Sequence, residues 1–145
     1  MNARQGGFGV IAAIVILVIF AILSAALVRF STTQQVTAAQ DILSARALQA
    51  ARAGNEWGLY QALGPAASCA PSATLDLRAA IGFSVTVSCS SKTFNEGESA
   101  PGVPRVVTTY NIEAVACNSA SCPDATLAAT PGYVERKRLV VASKP

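Results

Sequence analysis

The side chains in this chain best placed to do chemistry are four cysteines, Cys69, Cys89, Cys117 and Cys122. Thiolates can hold zinc or pair as disulfides. A four-thiolate zinc site is built from paired C-x2-C knuckles, and this spacing contains none, so no metal site is assigned. The sequence has no His, which excludes His-containing metal sites and His-based triads. Ser, Asp and Glu occur without a Gly-x-Ser-x-Gly elbow, a Ser-x-x-Lys motif or a glycine-rich phosphate loop. The expectation is therefore a non-enzyme with no catalytic residues and no cofactor. An even number of cysteines in a small, loop-rich region suits disulfides in an oxidising compartment. Four cysteines allow three connectivities, and the sequence does not choose among them. The reading adopted joins Cys117 to Cys122 as a local bridge, and Cys69 to Cys89 as a tie between loop and strand.

The elements that carry these cysteines follow from hydropathy. Of 145 residues, 52% are hydrophobic and 13% charged, with a mean hydropathy of +0.42. That is too apolar for an ordinary small soluble domain, and the excess lies near the N-terminus. The net charge of +3 is modest. Its basic residues are scattered apart from Arg136, Lys137 and Arg138, which leaves no electrostatic footprint for nucleic acid. That basic trio reads as a solvated strand end.

Residues 8–28, FGVIAAIVILVIFAILSAALV, carry no charge. Such a run is long enough to cross the roughly 30 Å of a bilayer core as a helix, and longer than the ~7–15-residue core of a cleaved secretory signal. Arg4 precedes it while Arg29 and Arg46 follow, so the basic count does not orient it. Orientation comes from the cysteines, all C-terminal to the run, which place residues after about 30 in the periplasm or outside the cell. Arg29 marks the membrane exit, its head reaching the lipid headgroups.

Helical periodicity continues past the membrane run. Val36, Ala39, Leu43, Ala47, Ala50, Gly54 and Trp57 recur at steps of three and four, giving an apolar, small-residue stripe. Gly64-Pro65 ends it, glycine serving as a left-handed cap and proline blocking continuation. Gly54 and Gly58 would each cost an isolated helix about 1 kcal/mol, so their expected role is close packing against a sheet. Trp57 and Tyr60 are expected as core aromatics at that junction.

Beyond Ala67 the period changes to two. Phe83–Cys89, Arg105–Cys117 and Tyr133–Ser143 read as strands of an antiparallel meander, with Leu75–Leu77 as a short fourth. In the second, Val106, Thr108, Tyr110, Ile112 and Ala114 share a face, and in the third Tyr133, Leu139 and Val141 do, with Glu135 and Lys137 among them. Ser90–Pro104 reads as an exposed loop. The fold class is α+β, a long N-terminal helix on a small antiparallel sheet. The expected division is 1–7 leader, 8–28 transmembrane helix, 29–64 periplasmic helix and 65–145 sheet domain.

Arg4-Gln5-Gly6-Gly7 followed by Phe8-Gly9-Val10-Ile11, ahead of such a helix and sheet, resembles the type IV pilin-like proteins. Within that group, the run Ala51–Leu63 with paired cysteines behind it is similar to minor pilin-like proteins of mannose-sensitive haemagglutinin (MSHA) pilus biogenesis. The resemblance implies cleavage by prepilin peptidase between Gly7 and Phe8 and N-methylation of the new Phe8 amine. It also implies an inner-membrane helix held in the lipid bilayer, extracted by an assembly platform and packed among other major and minor pilins.

Two features depart from the family pattern. Gln5 and Gly6 separate Arg4 from the last leader glycine, and the fifth residue after the cut, usually Glu, is Ala12. No acid precedes Asp41. In the family that carboxylate is thought to meet the amino terminus of the previously added subunit, since a lone buried charge is costly. Without it, this subunit has no electrostatic reason to follow another, while its own Phe8 amine can still receive the next. The expectation is a minor subunit acting in pilus initiation or at the tip. The competing expectations are a minor pseudopilin of type II secretion and a permanently anchored periplasmic binding module.

Overall fold

The computed structural model describes residues 6–145, with side chains described for residues 9–30 and 34–145. Residues 1–5 of the expected leader lie outside the described residues. The chain divides into two compact units between Ala39 and Gln40, inside the helical portion expected to be periplasmic. One helix, α1, Gly6–Leu63, contributes to both.

Among the described residues, the first unit is helix alone. Its large apolar side chains from Val10 to Phe30 are each more than half exposed, and its most apolar 18-residue window has a mean hydropathy of 3.2 with none of it buried. A helix of that length and composition can span a membrane. Ser24 Oγ donates to the Phe20 carbonyl at 2.7 Å, so even this hydroxyl is satisfied within the helix, as an apolar environment requires.

The second unit begins at Gln40. Here α1 turns Ala47, Ala50, Ala51, Gly54, Gly58 and Ala62 into the core, and these small residues let its backbone approach the sheet. The sheet has four antiparallel strands in the order β1-β2-β3-β4: Ala73–Leu77, Phe83–Ala100, Val103–Cys117 and Glu135–Lys144. A short helical turn, α2, Arg78–Ile81, joins β1 to β2 and stops at Gly82, whose φ of 81° is open to glycine at little cost. Phe83, Val85 and Ile112 are fully buried, with Val87, Tyr110 and Ala114 beside them on the helix side.

Two expectations are corrected. Ser90–Pro104 is not a loop: β2 runs on to Ala100, turns at Pro101-Gly102 and returns from Val103. This ribbon is nevertheless exposed along its length, because β1 reaches only Val87 and β4 only Thr108 along their neighbours, and nothing described covers the strands beyond. Tyr60 is 72% exposed, being on the side of α1 turned from the sheet, whereas Trp57 is half-buried against the core. Leu139 and Val141 share a face, as expected; it is the outer one, and Val140 packs inward.

The helix does end at the Gly64-Pro65 pair, by a different device from the left-handed cap. Gly64 donates to the Tyr60 carbonyl at 2.9 Å, and a Cβ there would lie 2.5 Å from that oxygen. The left-handed residue is Ala67, at φ 43°. Lys144 Nζ, from the end of β4, donates to the Leu63 and Gly64 carbonyls at 3.3 and 3.4 Å, a cation placed at the negative end of the helix.

Candidate functional site

The residues expected to be processed lie at the start of α1. Gly6 and Gly7 are already helical, so the Gly7/Phe8 junction falls in the first turns of the helix. The Phe8 side chain lies outside the described residues. Ala12, at the place of the missing acid, is partly shielded while its neighbours Ile11 and Ala13 are exposed.

The helix–sheet contact is the tightest feature of the second unit. A Cβ added at Gly54 would stand 2.6 Å from Val85 Cγ1, 3.1 Å from Ala114 Cβ and 3.2 Å from Val87 Cγ2. One added at Gly58 would stand 2.6 Å from Ile112 Cγ2 and 3.1 Å from Val87 Cγ1. Glycine is required at both positions by van der Waals volume, as the sequence suggested. Asn55 is buried on the same length of helix, and its Oδ1 has no hydrogen-bond partner.

Disulfides hold the sheet at two ends. Cys69 pairs with Cys89, Cα atoms 5.2 Å apart, tying the segment after α1 to β2; Cys89 also donates its N–H to the Ala70 carbonyl at 3.0 Å. Cys117 pairs with Cys122 at a Cα separation of 5.7 Å, at the end of β3. Both pairings are those adopted from the sequence, and they fit an oxidising compartment. Trp57, Gly58, Gln61, Ser68, Val87 and Cys89 line a cleft of about 260 Å³ beside the first bridge.

Sequence reasoning missed the polar order of the segment 118–134, which covers the lower outer face of the sheet. The Ser119 hydroxyl donates to Asp124 Oδ2 at 2.7 Å, and Asp124 Oδ1 accepts from Thr126 Oγ1 at 2.6 Å and from the Thr126 and Leu127 N–H groups. The hydroxyls of Thr126 and Ser119 hold the Asp124 carboxyl well below the usual range, at about 2. Tyr133 Oη accepts the Asp124 N–H and donates to Glu135; burial, then that contact with Glu135, raises the phenol's pKa. Buried Ser84 donates to the Ser119 carbonyl. The signal for part of this was Pro123-Asp124-Ala125-Thr126, an Asp placed to accept from the backbone two residues on.

The basic trio divides by strand parity. Arg136 Nη2 donates to Ser44 Oγ on α1 at 2.8 Å, whereas Lys137, on the outer face, meets Glu113 Oε2 at 2.6 Å. Arg138 is exposed and has no carboxylate within ion-pair distance among the described residues. No group of three or more His, Cys, Asp or Glu side chains comes together among the described residues in a way that could hold a metal ion.

Compared with known protein families, curated proteins and solved structures, the chain matches none. What is established is an α+β chain with a helix able to span a membrane and a four-stranded antiparallel sheet bearing two disulfides.

Proposed function

We propose that this chain is a minor pilin-like structural subunit of type IV pilus biogenesis, of the MSHA type, acting in initiation or at the tip. The observation that carries the reading is the division of labour along α1. From Val10 to Phe30 the helix offers an exposed apolar surface, and from Gln40 it carries a small-residue stripe that seats it on a disulfide-tied sheet. A surface of that kind serves as a membrane anchor and afterwards as a packing surface, since lipid tails and neighbouring apolar helices offer it similar environments.

In this reading the second unit lies in the periplasm, prepilin peptidase cuts between Gly7 and Phe8 on the cytoplasmic side, and the new Phe8 amine is methylated. The assembly platform of the inner membrane then draws the helix out among the other pilins. Ala12 sets the position: with no acid before Asp41, the subunit cannot neutralise the amine of a preceding subunit, and so it comes first.

The experiment is Ala12→Glu in the native host. Restoring the carboxylate should let the subunit enter the body of the fibre, so that its amount in sheared filaments rises relative to the major subunit. Unchanged piliation and unchanged stoichiometry would make the missing acid incidental and remove the tip assignment.

A further inference from the structure

Strand β4 is a free edge of the sheet. It pairs with β3 from Cys117↔Glu135 to Thr108↔Lys144 without a register shift, and nothing among the described strands pairs with its other side. Its ten residues contain no proline. The opposite edge is guarded: β1 has only five residues, followed at once by α2. A long, regular edge with no bulge or proline presents a row of unpaired backbone N–H and C=O groups on which another chain can pair, and its charges, Glu135, Arg136, Lys137, Arg138 and Lys144, disfavour an apolar or like-charged strand there.

The side chains along β4 state what kind of chain fits. Arg136 and Arg138 lie on the helix side of the strand, and neither has a carboxylate within ion-pair distance among the described residues; Arg136 bonds only neutral oxygens, Ser44 Oγ and the Glu135 carbonyl. On the outer side Lys137 is taken by Glu113, and beyond it Leu139 and Val141 are 60% and 57% exposed. The edge thus reads as two unneutralised cations followed by two exposed aliphatics, offset to opposite faces.

We propose that β4 is a docking edge for an extended acidic segment of another protein, which adds as a fifth, antiparallel strand. Its carboxylates would stand opposite Arg138 and Arg136, and its apolar residues opposite Val141 and Leu139. Backbone hydrogen bonds supply the attachment and these cross-strand pairs the choice of partner. A second copy of β4 is a poorer occupant, since it brings more cations and no carboxylate to either arginine. This inference does not depend on the pilus reading, because it uses only the second unit.

The test uses the full chain in detergent micelles and the peptide Val-Thr-Val-Glu-Thr-Glu, whose alternation matches the edge from Val141 back to Arg136. Binding is read by fluorescence anisotropy of the labelled peptide, and its site by amide hydrogen exchange. The expected result is saturable binding that weakens with salt, with at least tenfold slower exchange at the β4 amides that do not bond to β3. Arg136→Glu combined with Arg138→Glu should weaken it at least tenfold and confer binding on Val-Thr-Val-Lys-Thr-Lys, a swap that loss of folding cannot produce. Equal binding of the acidic and basic peptides by the unaltered chain, or protection away from β4, overturns the proposal. So does concentration-dependent protection of β4 without peptide, which would give the edge to a second copy. The exchange measurement needs no variant.

Discussion

Gly54→Ala asks whether the helix is seated on the sheet as closely as described. On an exposed helix the change would stabilise by about 1 kcal/mol, because alanine is the better helix former. Here the new methyl would lie 2.6 Å from Val85 Cγ1, with Ala114 Cβ and Val87 Cγ2 at 3.1 and 3.2 Å on its other sides. Val85 is fully buried and cannot swing aside, so helix and sheet must part by several tenths of an ångström. Overpacking of this kind costs about 1–3 kcal/mol, so the net effect is a destabilisation of about 1 kcal/mol. That is a fall in melting temperature of roughly 4–8 °C for a unit of this size. The assay is thermal unfolding of the disulfide-intact chain in detergent, completed as a cycle with Val85→Ala. Removing Val85 Cγ1 makes room for the methyl, so the double variant should be more stable than the sum of the singles by about 1 kcal/mol. A stabilised Gly54→Ala, or strictly additive effects, would refute the close seating.

The two disulfides should differ in worth. The Cys69–Cys89 bridge closes a separation of 20 residues and Cys117–Cys122 one of 5, so chain entropy alone gives about 3 kcal/mol for the first and about 2 for the second. Paired Cys→Ser variants compared by denaturant unfolding should rank them in that order, and the reverse order would contradict the entropic argument. Asp124 should titrate near 2, against an ordinary 3.8, when followed by carboxyl NMR. Because the folded-state value is depressed, its contribution to stability is present above about 4 and lost as the pH falls through 2. Asp124→Asn should therefore flatten the acid side of the stability curve between those limits, and an unchanged profile would remove the role given to the Ser119 and Thr126 hydroxyls.

Much of this architecture was legible because α1 and the sheet obey their periods. The stripe from Leu43 to Trp57, the two glycines and the stop at Leu63 follow from helical spacing and steric volume. Strand identity followed from alternation, but strand sidedness did not always. Leu139-Val140-Val141-Ala142 is apolar on both faces, so a period of two gives no direction, and it takes the packing of Val140 on the core and the docking of Arg136 onto Ser44 to show which parity faces the helix. The ribbon beyond Ser90 was hidden for the opposite reason. Its Ser, Asn, Glu, Gly and Pro have the composition of a loop, and the strand conformation is held by cross-strand pairing that no local signal records. The Gly64 stop was placed correctly for another cause, since its requirement is the nearby Tyr60 carbonyl and not a left-handed backbone. Nothing in spacing marks Tyr60 as exposed until the face of α1 that meets the sheet is known.

The claim on which the functional account stands is that the uncharged helix belongs to a subunit that is trimmed and then leaves the bilayer within a fibre. Sequencing the amino terminus of the chain recovered from sheared filaments tests it most directly. The account predicts N-methylated Phe8 followed by Gly9, Val10 and Ile11. A chain that still begins at Met1 and is found only in the membrane fraction would contradict it.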